Sequence, residues 1–154
     1  MTENNQKSIL PAIQINAQYI KDFSFEAPNM PFALLEMKSA PEININIDLK
    51  AEKTQNEKVF TVDLSLRLNA KIKESDKSLF LCELVYGALV TLDVAEPERE
   101  ANLMVEIPHL IFPYARAIIA NAIREAGFPS LQINPIDFAV LYRAKLAEKE
   151  KAKA

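Results

Sequence analysis

The stretch Phe60-Thr61-Val62-Asp63-Leu64-Ser65-Leu66-Arg67-Leu68-Asn69-Ala70 decides the fold class. Its even positions are all apolar and its odd positions are all polar. Successive side chains of a strand point to opposite faces, so this period of two describes a strand with one dry and one wet side. Upstream, Ile43, Ile45, Ile47 and Leu49 alternate with Asn44, Asn46, Asp48 and Lys50 in the same way. Earlier still, Ile13, Ile15, Ala17, Tyr19, Phe23 and Phe25 oppose Gln14, Asn16, Gln18, Asp22, Ser24 and Glu26, with Ile20 and Lys21 out of phase. Ala27-Pro28-Asn29 ends that first strand, and a loop containing Pro28, Pro31 and Pro41 follows.

Downstream, Leu79 to Leu92 is apolar on both faces. Phe80, Cys82, Leu84, Tyr86, Ala88 and Val90 form one row and Leu79, Leu81, Val85 and Leu89 the other, with Glu83 the only charge. Such a strand needs cover on both sides, from its own chain or from a second one. The polar intervals Glu52 to Lys58 and Lys73 to Lys77 have hairpin length, and four strands joined in series predict an antiparallel meander.

The second half has helical spacing. Pro113 suits a first turn, Tyr114, Ile118, Ile119, Ala122 and Ile123 follow at helical intervals to Ala126, and Gly127-Phe128-Pro129 is a stop signal. A second helix is expected from the cap Asn134-Pro135, with Asp137 in its first turn and Phe138, Leu141, Tyr142 and Leu146 as its apolar stripe. Strands first and helices afterwards predict an α+β fold, a four-stranded antiparallel sheet followed by two helices. Residues 13–146 read as one domain. Residues 1–12 read as a flexible N-terminal tail and 147–154 as a flexible charged one.

Composition narrows the function. Among 154 residues there are two glycines, Gly87 and Gly127, which excludes a P-loop and a dinucleotide fingerprint. One cysteine and one histidine, Cys82 and His109, cannot make a tetrahedral zinc site. No metal or cofactor is implied. Cys82 in an apolar strand reads as a small hydrophobe and His109 as a structural residue. The net charge of −3 is uneven, with 11 Lys and Arg against 17 Asp and Glu up to Ala115, and 7 against 4 from Arg116 onward. Neither part carries the basic, aromatic-interleaved track of a nucleic-acid binder. The polar start and the absence of a run of roughly 18–20 apolar residues predict a cytoplasmic protein with no direct membrane insertion. Asp22, Ser24 and Glu26 share one strand face. Residues four apart on a strand are ~13 Å from each other, a spacing for electrostatic docking rather than paired-carboxylate catalysis, and by periodicity alone the face is simply solvated.

Tyr19-Ile20-Lys21-Asp22-Phe23-Ser24-Phe25-Glu26-Ala27-Pro28-Asn29 resembles the first-strand signature of the SecB family of bacterial protein-export chaperones. Phe80-Leu81-Cys82-Glu83, Phe112-Pro113-Tyr114-Ala115-Arg116, Phe128-Pro129, and Asn134-Pro135 with Asp137-Phe138 follow in the family's order. Where the family often has Gly-Gly in the fourth strand, Gly87 is followed here by Ala88. Residues 30–40 lack the tryptophan of well-known members.

The resemblance implies an ATP-independent holdase that keeps precursor proteins unfolded and passes them to the SecA motor. It also implies a homotetramer built as a dimer of dimers. On this sequence it implies Asp22, Glu26, Leu81 and Glu83 as the SecA-binding set and Ile43, Ile45, Ile47, Tyr142 and Leu146 as walls of a groove for unfolded precursors. Tyr114, Ile118, Ile119 and Ala122 are the implied oligomer contacts, and the implied SecA contact is that motor's basic, zinc-containing C-terminal segment, whose zinc belongs to the partner. Two other readings are a SecB-like chaperone dedicated to an antitoxin and a small-ligand-binding or thioester-handling α+β protein. The lack of a His/Asp/Ser arrangement weighs against an enzyme.

Overall fold

The computed structural model describes residues 12–153. The expected N-terminal tail, Ala12 apart, lies outside the described residues. Four strands form one antiparallel sheet: β1 (Ile13–Glu26), β2 (Glu42–Lys53), β3 (Val59–Lys71) and β4 (Ser78–Leu92). Their order is β1-β4-β3-β2, which corrects the meander expected from the sequence. Hairpins join β2, β3 and β4, whereas the segment after β1 crosses the sheet to its far edge, a Greek-key connection. That crossover carries the short helix α1 (Ala33–Glu36). It is fastened to the β3–β4 turn by Asn29 Nδ2 donating to the Ser78 carbonyl at 2.9 Å and by Lys77 paired with Glu36 at 2.9 Å.

The helical layer covers one side of the sheet. Helix α2 (Glu96–Ala101), a π-helical turn (Asn102–Glu106) and α3 (Ile107–Glu125) run into one another as a single rod. The expectation that a helix begins at Pro113 is therefore corrected, since Pro113 lies inside α3. The missing N–H of Pro113 leaves the His109 carbonyl unbonded in the helix, and both residues lie on the exposed flank where solvent can take its place. The rod starts instead at Glu96-Pro97-Glu98, with proline and acids in the first turn as a helix N-terminus favours. By length and apolar content this rod would suffice to cross a membrane. In this fold its apolar stripe is the core of the sheet.

The stripe is Leu103, Ile107, Ile111, Ala115, Ile119 and Ile123, spaced by four and buried against the even rows of β3 and β4. Each fully buried Leu or Ile side chain contributes about 1.5–3 kcal/mol relative to exposure. At the end of α3, Gly127 has φ 93°, and the Phe128 and Gly127 amides donate back to the Ile123 and Arg124 carbonyls at 3.2 and 3.1 Å. This is a Schellman closure that only a residue tolerant of positive φ completes without strain. It drops the Phe128 ring onto Phe80, whose other neighbour is Phe25 at 5.3 Å.

The last helix, α4 (Phe138–Ala152), is capped by Asp137 rather than Asn134, its side chain accepting from the Val140 amide at 3.2 Å. It continues well past Leu146, so residues 147–152 are helical rather than a loose tail. Phe138 anchors it edge-on to Phe112 of α3, and the helix leans on the π-helical turn.

Candidate functional site

The side of the sheet away from the helices is open, and β1 sets its chemistry. In an antiparallel pair, residues directly opposite share a face. Asp22 faces Val85, Ser24 faces Glu83 and Glu26 faces Leu81, while Phe23 and Phe25 face the buried Leu84 and Cys82. Asp22, Glu26, Leu81 and Glu83 thus lie together on the open side, brought there by strand register. The single apolar face expected along β1 does not survive. Bulges at Asn16 and Lys21 shift the register twice, so Ala17 and Tyr19 point to the open side opposite Leu89 and Gly87, and Ile20 joins the helix side opposite Tyr86. The two residues out of phase in the sequence mark the second bulge. Arg67 of β3 lies 3.3 Å from Glu83, and Lys21 pairs with Asp63 at 2.7 Å. Asp22 and Glu26 make no ion pair among the described residues.

On the helix side, Ile43, Ile45 and Ile47 face the buried Ala70, Leu68 and Leu66 of β3. Ile43 and Ile47 lean on the core, and Ile45 remains 37% exposed because β2 is an edge strand that α3 does not reach across. The row continues through Leu49 and Ala51 into a cleft of about 800 Å³ bounded by β2, α2, the π-helical turn and α4. The α4 residues in this cleft are Lys145, Glu148, Lys149 and Ala152, not Tyr142 or Leu146. Lys145 ties α4 to β2 by donating to Asp48 at 2.7 Å and to the Leu49 carbonyl at 3.0 Å. Burial, with Glu100 nearby, pushes the Tyr142 phenol above its ordinary value, so Tyr142 turns toward α2. Neither the isoleucine row nor the Tyr142–Leu146 pair lines this cleft, which lies next to both along β2 and α4. Leu49 and Ala51 were legible as the continuation of the same odd-numbered row.

The crossover adds apolar surface that the periodicity reading passed over. Phe32 and Leu35 are 68% and 83% exposed, on either side of the fully buried Ala33. By sequence, the prolines at 28, 31 and 41 mark this segment only as a loop. On α3, Tyr114 is 55% exposed and Ile118 and Ala122 are half-buried, so these three lie toward the outer side. Ile119 is corrected: it is fully buried in its own protomer, one turn from Ala115 and Ile123, and has no surface to offer a partner. Leu110, well exposed one turn before Tyr114, takes its place on the outer face.

Neither residue with potential for chemistry is poised for it. Cys82 is fully buried, and burial with the neighbouring Glu83 pushes its thiol up to about 11. A thiol so far above neutrality is a poor nucleophile. His109 is exposed on the outer flank of α3.

The family model for SecB, described as preprotein translocase subunit SecB, matches residues 4–149. The chain belongs to the SecB family. Among curated relatives, the protein-export protein SecB of Maricaulis maris is 42% identical over 97% of this chain and 86% of its own length. That of Bartonella quintana is 37% identical over 97% and 94%. A SecB-like chaperone of Mycobacterium tuberculosis, solved with a peptide from an antitoxin, shares the fold with a TM-score of 0.68, covering 81% of this chain and 91% of that one at 13% identity. That likeness extends to the α+β architecture alone. Within the SecB family, the export-chaperone reading stands over the antitoxin-dedicated and thioester readings, since the curated relatives carry the export name.

Proposed function

We propose that this chain holds unfolded precursor polypeptides on its helix-side and crossover apolar surfaces and presents them to SecA through the acidic open side of its sheet. The observation that carries the reading is the exposure of Phe32 and Leu35 on a segment fastened to the β3–β4 turn at Asn29 and Glu36, alongside the part-exposed Ile45 on the β2 edge. Apolar contact is non-directional and scales with area, so such surface accepts many sequences. A folded client hides what it needs; an unfolded one supplies it. Preferential binding of the unfolded state delays folding by mass action, without a nucleotide.

Asp22, Glu26, Leu81 and Glu83 form the docking set for a basic segment of SecA, with an affinity that weakens as salt rises. The working unit is a cytoplasmic homotetramer, a dimer of dimers in which Tyr114, Ile118 and Ala122 contact across the outer face of α3. The client-binding groove combines Ile43, Ile45 and Ile47 of β2 with Tyr142 and Leu146 of α4, and residues 13–146 form the core chaperone domain.

Light scattering of a slow-folding precursor diluted from denaturant tests the holding step. The wild-type protein is expected to suppress aggregation near stoichiometry, and Phe32→Ser with Leu35→Ser to lose most of that effect while melting as the wild type does. Undiminished suppression by the double variant would remove the crossover from the client surface. In a parallel titration, Glu83→Lys is expected to weaken SecA binding and leave precursor capture unchanged.

A further inference from the structure

The second bulge of β1 sits next to the docking set. Lys21 has no residue opposite it on β4, because Ile20 pairs with Tyr86 and Asp22 with Val85. An extra residue of this kind is left out of the ladder and its side chain is re-aimed. Here it reaches across β4, and its Nζ donates to Asp63 Oδ2 on β3 at 2.7 Å. The row beside it is Tyr19, Gly87 and Asp63, in which the Tyr19 ring lies over the bare Gly87. The Asp63 side chain is only 12% exposed, and its second oxygen, Oδ1, is buried without a partner. A shielded carboxylate with spare acceptor capacity holds a nearby cation better than an exposed one, because solvent screening is weaker there. The hydrogen bond and charge of Asp63 accordingly hold the Lys21 ammonium above the ordinary lysine range.

The pair matters because of what stands beside it. Lys21 precedes Asp22 directly, and a lysine free to swing toward Asp22 would cancel an acidic charge on the face that must attract a basic partner. We propose that Asp63 is a positioning residue for the docking face: it holds the Lys21 ammonium over β4, away from Asp22, and so preserves the negative edge formed by Asp22, Glu26 and Glu83. The inference rests on the reading of that edge as the SecA surface. Asp63 touches no partner itself and acts only through Lys21.

Calorimetric titration with the basic C-terminal segment of SecA, at low and at moderate salt, tests this on the assembled protein. Asp63→Asn keeps the shape and removes the hold on Lys21. It is expected to weaken binding about three- to fivefold at low salt, as for a single surface charge, with a smaller loss at moderate salt. Asp63→Asn combined with Lys21→Gln is expected to restore the wild-type affinity, because the stray cation is gone. Lys21→Gln alone, at an exposed side chain, is expected to bind at least as tightly as the wild type. Wild-type affinity in Asp63→Asn, no recovery in the double variant, or weaker binding by Lys21→Gln alone would each overturn the proposal. Glu83→Lys in the same series separates the two ideas. If it binds normally, the docking reading falls and this inference with it; if it binds weakly while Asp63→Asn does not, only the role of Asp63 falls.

Discussion

Replacing Gly87 with alanine tests the packing of the open side at one atom. A Cβ built at Gly87 would lie 2.5 Å from Tyr19 Cε2, 2.8 Å from Cζ and 3.0 Å from the hydroxyl oxygen. Ordinary contact begins near 3.4 Å, so the ring must retreat by roughly 1 Å. Backbone strain plays no part, since the only glycine with positive φ is Gly127. Tyr19 cannot simply slide, because β1 is paired with β4 on both sides of it, at Gln18 and at Ile20. A displaced rotamer costs about 0.5–1.5 kcal/mol, and with lost ring contact the whole substitution costs about 1–3 kcal/mol. With Tyr19→Ala already in place the collision vanishes and the sign reverses, because alanine is favoured over glycine in a strand by about 0.5–1 kcal/mol. The pair should therefore show a coupling of about 1.5–4 kcal/mol in a double-mutant cycle. Urea unfolding measures it at one fixed protein concentration, so that any effect of concentration on apparent stability drops out of the comparison. In a thermal scan each kcal/mol corresponds to about 2–4 °C. If Gly87→Ala costs the same with and without the Tyr19 ring, the contact is not what keeps position 87 bare.

Two further substitutions separate core from surface on α3. Ile119→Ala should lower protomer stability by about 2–5 kcal/mol through a cavity in the sheet–helix core, whereas Tyr114→Ala should leave the melting of the fold nearly unchanged and shift sedimentation toward smaller species; the reverse pattern would return Ile119 to the interface. The Lys145–Asp48 tether makes a pH prediction. The Lys145 hydrogen bond holds the Asp48 carboxyl below its ordinary range, so its stabilisation is present above the ordinary aspartate value and is lost as pH falls through the lowered one. The side chains are largely exposed, so the pair is worth at most about 1 kcal/mol. Lys145→Gln should lower the urea midpoint slightly at neutral pH and converge with the wild type in acid, and a difference that persists in acid would show that the tether is not ionic.

Alternation in Phe60 to Ala70 and in Ile43 to Leu49 was enough to specify strands, because a half-covered sheet imposes a period of two that no other regular structure shares. The chain's motifs likewise carried its SecB resemblance, and the shared face of Asp22, Ser24 and Glu26 was readable without coordinates. Periodicity is a local property, however, and several deciding features are not local. Whether β1 pairs with β2 or β4 depends on a crossover whose path is fixed by contacts such as Asn29 with Ser78, distant in sequence. Ile20 and Lys21 registered only as irregularities, since a bulge is defined by the opposing strand and exists only once β4 is in place. Pro113 misplaced the helix start because its local preference for a first turn was overruled by the four-residue spacing from Leu103 to Ile123 packing on the sheet. That same packing separated Ile119 from Tyr114 and Ile118, which a sequence places on one apolar helix. Which apolar residues are core and which are left for partners is a question of what lies opposite them. Tertiary packing alone sets that distance.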